Sequence, residues 1–374
     1  MTFEEEIKSI PNKETVNFIA TATTPWHAHG IVACIYYLKS RGITPAGYIF
    51  LTPHVTTGYA LDKSDFPDLP DMSIRRIAPP SLSLFSNIQK MYNALEYTFL
   101  RARKRKDKRI LYYAEPWTVD SAQSSVIIRQ MRGVYIQHLV YDEGVSTYFP
   151  IKLKGSNVAD RLKNIFTKYV TFGVSYRFLV KKGVVISAKL FAKAGQIVEP
   201  NSYIVPFYKQ AIKEFCTNEV RNYTFPPKTV VVCTTAWERK EIIDQEDIRK
   251  INWAVNILTR RGFNVMFKPH PRDCCFSQLY PEAQLVPHYS GSLESIFSSV
   301  SQLPALVLSI SSTILVTSKL FFNLKSIDLS ALLDVRKIGR YIDETTAFRN
   351  AFGNFVDTPS TAAEFFTSLD YYNS

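Results

Sequence analysis

Thr229-Val-Val-Val-Cys233, then Glu246-Asp-Ile-Arg-Lys-Ile-Asn-Trp-Ala-Val-Asn-Ile-Leu-Thr-Arg-Arg261, then Val265-Met-Phe267-Lys268-Pro269-His270-Pro271-Arg272 read along the chain as strand, helix and strand. The first run is short, β-branched and unbroken by polar residues, as a strand covered on both faces requires, and the long stretch behind it carries a helical period. The same alternation continues downstream: a short strand at 284–286, a helix over Leu293–Ser299, a strand at 305–309, a helix over Thr313–Phe322 and a strand at 326–329. Upstream it gives strands near 17–22, 46–51, 74–77, 110–114 and 134–140, with helices near 28–40, 84–103 and 118–131. Strands alternating with helices build parallel sheets covered on both faces, so an α/β fold of two doubly wound, Rossmann-like domains is expected.

Between 201 and 228 the periodicity weakens, and Pro200, Pro206, Pro226 and Pro227 punctuate a polar stretch. The expected organisation is therefore an N-terminal domain over 1–210, a linker over 211–228, a C-terminal domain over 229–345 and a helical tail over 346–374. In such an arrangement ligands are expected at the carboxyl ends of the strands, in a cleft between the domains.

With 374 residues and 46% hydrophobic content, the chain is long enough for two domains of ordinary size. Cys34, Cys216, Cys233, Cys274 and Cys275 are odd in number and show no C-x-x-C spacing. A disulfide framework and a zinc site are thus not indicated, and a reducing compartment is expected. The start, Met1-Thr-Phe-Glu-Glu-Glu-Ile, is acidic where a secretory signal is basic, and no apolar stretch reaches the roughly 18–20 residues of a membrane span, so a cytoplasmic location is expected. The net charge of +12 is concentrated in 101–109 and 152–182. Such an excess suits an anionic substrate or peripheral association with an anionic membrane. No nucleic-acid-binding module is readable around it, and no nucleic-acid partner is expected.

Several short words fall where the expected strands end. Asp142-Glu143-Gly144 follows 134–140: either carboxylate suits a general base, and Gly144 permits a tight turn. His270 stands between two prolines, with Lys268 and Arg272 further out, a rigid loop suited to a departing phosphate. Ser311-Ser312-Thr313 closes a strand and opens a helix, so hydroxyls, backbone N–H groups and the helix dipole converge on an anion site. Glu294 lies in the first turn of its helix, where it either caps or reaches ribose hydroxyls. Thr24-Pro25-Trp26-His27 closes the first strand, with Trp26 able to stack on a sugar and His27 to bond a hydroxyl or carboxylate. Each word also has a plain structural explanation as a cap, turn or core residue; placement at successive strand ends gives the set its weight.

Together these words resemble those of bacterial sialyltransferases and polysialyltransferases that carry an (Asp/Glu)-(Asp/Glu)-Gly motif, a His-Pro motif and a downstream Ser-Ser/Thr motif. The resemblance rests on Asp142-Glu143-Gly144, His270-Pro271 and Ser311-Ser312-Thr313, supported by Thr24-Pro25-Trp26-His27, and spans roughly 15–330. It implies a GT-B architecture and an inverting, metal-independent transfer of sialic acid from CMP-sialic acid, with no cofactor. Galactose- or sialic-acid-terminated acceptors of lipooligosaccharide, O-antigen or capsule type are implied. By position, Asp142 is the implied base and His270 the group on the CMP phosphate, with Glu143 and Gly144 alongside on the acceptor side. Ser311, Ser312 and Thr313 surround the phosphate and Glu294 faces the ribose. Lys268, Pro271 and Arg272 on the donor side, and Trp26 and His27 on the acceptor side, complete the expected set. A transferase using CMP-Kdo or CDP-glycerol is the alternative, and a non-catalytic basic RNA- or membrane-binding module a more distant one.

Overall fold

The computed structural model describes residues 15–51, 61–76, 111–116, 136–142, 144–145, 148, 184–194, 197–215, 223–234, 245–270, 276, 280, 282–287, 292–333 and 339–370. The helices expected at 84–103 and 118–131, the basic runs at 101–109 and 152–182, and Glu143, Pro271 and Arg272 lie outside the described residues. The chain forms two compact units: the first takes 1–143, 153–190 and 200–211, and the second 144–152, 191–199 and 212–374.

In the first unit, β1 (Thr15–Ala22), β2 (Thr44–Leu51), β3 (Met72–Arg76), β4 (Leu111–Pro116), β5 (Ile136–Tyr141) and β6 (Val184–Ser187) form one sheet in the order β3-β2-β1-β4-β5-β6. Every pairing in it is parallel. The order turns back at β1, and the crevice outside the carboxyl ends of the strands at such a switch point is where doubly wound sheets take ligands. Helix α1 (Pro25–Ser40) leads directly out of that point. Apolar nearly all round, it is buried along most of its length from His27 to Leu38, as a core helix must be. His29 is fully enclosed, and burial pushes its imidazole down to about 3, so it is neutral inside the fold.

α1 begins three residues earlier than the sequence suggested. Thr24 is the N-cap, its hydroxyl accepting the His27 N–H at 3.3 Å, and Pro25 occupies a first-turn position where no N–H is needed. Trp26 and His27 consequently stand on a helical turn, not in a loop.

The second unit contains a two-stranded ribbon of β7 (Phe191–Ala194) and β8 (Ile197–Pro200), followed by a four-stranded sheet. That sheet runs β10-β9-β11-β12, with β9 (Thr229–Cys233), β10 (Asn264–Lys268), β11 (Leu306–Ser309) and β12 (Lys325–Asp328) all parallel. Both central strands are buried at every residue, which explains their unbroken apolar composition. α3 (Gln245–Arg260) lays Ile251, Ala254 and Leu258 against Val230, Val232, Phe267 and Leu308. Each such buried aliphatic or aromatic side chain contributes about 1.5–3 kcal/mol. α4 (Leu293–Ser299) and α5 (Thr313–Phe322) follow the sequence-based bounds, and the tail resolves into α6 (Gly339–Phe352) and α7 (Ala362–Asp370).

The helix α2 (Val205–Glu214) lies inside the stretch read as weakly periodic. Pro206 sits in its first turn, where proline starts a helix and does not break it. The residues expected as a strand at 284–286 make a single bridge, Leu285 to Phe267.

Candidate active site

Register assembles the second unit's site. Lys268 pairs with Cys233, the Ser309 hydroxyl donates to the Cys233 carbonyl at 2.9 Å, and Ser309 pairs with Asp328. Lys268, Cys233, Ser309 and Asp328 thus form one row across the carboxyl edge of the sheet. Thr234 extends the row outward: its N–H donates to the Lys268 carbonyl at 3.2 Å, and its hydroxyl accepts the His270 N–H at 2.9 Å. His270 is thereby fixed at its backbone and half-buried at the strand end.

Lys268 is only 8% exposed, and burial lowers its ammonium to about 8, with the nearby Cys233 and Glu294 opposing that fall. Glu294, in the first turn of α4, is 7% exposed and accepts the Thr317 hydroxyl at 2.9 Å. Burial raises its carboxyl, while that hydrogen bond and the Lys268 charge hold it down. The same enclosure pushes the Cys233 thiol up to about 12, keeping it unreactive. This buried Lys268–Glu294 charge couple, flanked by hydroxyls, can hold a polar ligand at the strand ends.

Because the folded protein releases the Lys268 proton near 8 and the unfolded chain holds it until about 10.5, the unfolded state binds more protons in between, and Lys268 adds stability as pH rises through that window. The excess stability of a Lys268→Met variant over the wild type is expected to shrink steadily from about pH 8 to 10.5, as read from denaturant unfolding across pH. A constant difference across the window would refute the assignment.

At the start of α5, Ser312 is the N-cap in an extended conformation and its hydroxyl makes no capping hydrogen bond. The Thr313 hydroxyl accepts the Val145 N–H at 3.1 Å. Gly144 lies against the same hydroxyl with φ +124°: a Cβ added there would stand 2.6 Å from Thr313 Oγ1. Gly144, Val145 and the serine word, far apart in sequence, therefore meet within the second unit.

The first unit carries the other residues. β5 ends at Tyr141, whose hydroxyl donates to the Thr21 carbonyl at 2.5 Å, and Gly30 of α1 packs so closely that a Cβ would come within 2.7 Å of the Tyr141 ring. Asp142 follows, 1% exposed, its Oδ2 accepting the Leu190 N–H at 2.5 Å and its N–H donating to the Tyr208 hydroxyl at 3.4 Å. Burial first, then the Asp142 charge, pushes the Tyr208 hydroxyl and the Cys34 thiol upward. The same charge favours the protonated form of the half-buried Lys189, against the desolvation that lowers it. The Trp26 ring lies 5.7 Å from that of Tyr208, and His27 meets Tyr141 edge-on at 5.9 Å while its Nδ1 accepts the Thr23 N–H at 3.3 Å.

Lys268, His270, Glu294, Ser311, Ser312, Thr313 and Gly144 thus belong to the second unit, and Trp26, His27 and Asp142 to the first. Thr234, Thr317, Tyr208 and Asp328 escaped the sequence reading. Thr317 was within reach of it, four residues after Thr313 and so on the same helical face. Among the described residues no group of three or more His, Cys, Asp or Glu side chains could hold a metal ion, and no helix is long and apolar enough to cross a membrane.

Two parallel, doubly wound units with polar groups gathered at their strand ends are an α/β architecture of the GT-B type. The profile of the alpha-2,8-polysialyltransferase (POLYST) family matches residues 68–331, and the chain belongs to that family; it is a sialyltransferase. No curated relative matches it by sequence. Among solved structures it is similar to the UDP-GlcNAc 2-epimerase from Methanocaldococcus jannaschii (TM-score 0.53, 12% identity, covering 95% of this chain and 92% of that one). It is also similar to a Listeria monocytogenes protein assigned as a UDP-N-acetylglucosamine 2-epimerase (TM-score 0.51, 12% identity, 96% and 88% covered). At these identities the likeness establishes the fold alone. A lower similarity, at TM-score 0.43 and 12% identity, covers 93% of this chain and 99% of an alpha/beta-galactoside alpha-2,3-sialyltransferase from Photobacterium phosphoreum.

Proposed function

We propose that the protein moves sialic acid from CMP-sialic acid to a hydroxyl of a sialic-acid-terminated glycan, in α2,8 linkage, with inversion and without a metal. The observation that carries this reading is the carboxyl edge of the second unit's sheet, where the buried Lys268 interacts with Glu294, His270 follows β10, and Ser312 and the N-terminus of α5 follow β11. The donor presents one phosphate and one carboxylate, and that edge supplies a cation, an imidazole, hydroxyls and a helix dipole for them. The linkage follows the family's description.

In this mechanism the Asp142 carboxylate takes the proton of the acceptor hydroxyl, and the oxygen attacks the anomeric carbon of sialic acid. The bond from that carbon to the phosphate oxygen breaks, and its electron pair leaves with CMP. His270 donates to the departing phosphate, and the Ser312 hydroxyl and the first turn of α5 spread its charge. Glu294 takes the ribose hydroxyls. Trp26, the neighbour of Tyr208, supplies an aromatic face for an acceptor sugar. The net charge of +12 suits docking on anionic inner-membrane lipid, where lipid-linked capsule or lipooligosaccharide acceptors lie.

One observation favours a second assignment of the base. Asp142 is 1% exposed and bonded to the Leu190 N–H, as befits a carboxylate that fixes the elbow and leaves the proton to Glu143.

Purified protein is expected to release CMP from CMP-sialic acid only when a sialylated acceptor is present, with α2,8 linkages in the product. Its melting temperature should rise with CMP. Stabilisation by UDP but not by CMP, or turnover of CMP-Kdo or CDP-glycerol in place of CMP-sialic acid, would replace this reading.

A further inference from the structure

Ser311 adopts φ +42°, a left-handed backbone that L residues other than asparagine and aspartate rarely take and that glycine takes freely. It is the hinge between β11 and α5, so its conformation sets the direction in which the Ser312 hydroxyl and the first turn of the helix point. The partner holding it there is Asp328, fully buried at the end of β12. Oδ1 of Asp328 accepts the Ser311 N–H at 2.9 Å and the Ser330 N–H at 3.0 Å. Oδ2 accepts the Ser330 hydroxyl at 2.7 Å and the Ser311 hydroxyl at 3.4 Å.

We propose that Asp328 is a positioning residue for sialyl transfer: it locks Ser311 in the left-handed turn that aims Ser312 and the N-terminus of α5 at the donor phosphate. The inference rests on the phosphate site assigned above. Four donors match the capacity of a carboxylate, so Asp328 acts through Ser311 and not on the substrate. The Ser311 hydroxyl is directed to Asp328, so Ser311 serves the phosphate through its backbone and Ser312 through its side chain. Burial pushes the Asp328 carboxyl up, while the hydrogen bonds from Ser330 and Ser311 and the positive charge of Arg349 on α6 oppose that rise and favour the carboxylate.

The decisive comparison is Asp328→Asn, Ser311→Gly and the double variant. Asparagine keeps an acceptor for the two backbone N–H groups but replaces the charged acceptor with a neutral amide, which weakens the hold on Ser311 while preserving the fold. Asp328→Asn is expected to raise the KM for CMP-sialic acid and the Kd for CMP about tenfold, with kcat changed less than about threefold and the acceptor KM unchanged. Since glycine needs no partner to enter the left-handed region, adding Asp328→Asn to Ser311→Gly should cost little, giving a large coupling in the double-mutant cycle. Ser330→Ala, which removes a donor to Asp328 without touching Ser311, should lower Tm and leave donor KM in place. Folded Asp328→Asn with unchanged CMP affinity, or additive effects in the cycle, overturns the proposal. Amide hydrogen exchange across 311–313 gives a readout free of any ligand. If the wild type fails to bind CMP, the sialyl reading falls; faster exchange in Asp328→Asn that is absent from Ser330→Ala still upholds the positioning role, and unchanged exchange ends it.

Discussion

Gly144→Ala is expected to abolish most transfer activity and lower the melting temperature by several degrees. Two independent penalties act at this position. The backbone holds φ +124°, outside the regions open to alanine, and the added methyl would lie 2.6 Å from Thr313 Oγ1. Backbone strain of this kind costs about 1–3 kcal/mol, and relief of the clash requires the acidic elbow or the start of α5 to move. Either movement strips the Val145 N–H from the Thr313 hydroxyl and displaces groups assigned to the base and the phosphate. We expect kcat/KM for sialyl transfer to fall by at least about a hundredfold, since displacements on the order of 1 Å have that effect. Thr313→Ser retains the acceptor hydroxyl and is expected to stay within about threefold of wild type. A fully active Gly144→Ala enzyme with unaltered Tm would show that the packing of elbow on helix has no part in catalysis.

Asp142→Asn should lower kcat by about two orders of magnitude while leaving donor KM near its wild-type value. The amide retains an oxygen to accept the Leu190 N–H, so the fold survives and the lost function is basicity. The parallel variant Glu143→Gln should remain within a few fold of wild type. Measured together, the two variants decide the base. Should Glu143→Gln be the inactive one and Asp142→Asn merely less stable, the buried carboxylate is architecture and the proton passes to its neighbour.

The sheet strands of the second unit were legible because strands buried on both faces have no polar residues to interrupt them: Thr229–Cys233 and the run ending at Ser309 announce themselves. Strands of four residues such as β6, β7 and β8 are too short to display a period, and nothing in 184–200 singled them out. Prolines misled twice, at Pro25 and Pro206, because the residue that breaks a helix interior also opens a helix. For the site, the sequence supplied the words but not their partners. That the Gly144 turn would rest on Thr313, or that Asp328 would govern Ser311, depends on register and packing between distant segments. Lys268 was legible as a cation at a strand end; its enclosure beside Glu294 was not, because burial depends on what covers a strand end.

The second unit draws on 144–152 and 191–199, segments embedded among those of the first. During synthesis these stretches leave the ribosome long before the four-stranded sheet of the unit they belong to. The Val145 amide waits for an acceptor 168 positions further along the chain. The segments 144–152 and 191–199 therefore wait for the rest of the second unit, and an enzyme cut within 212–228 would leave the first unit whole on one fragment and part the second from those two segments. Complementation by two separately encoded halves should succeed only where both fragments are made together.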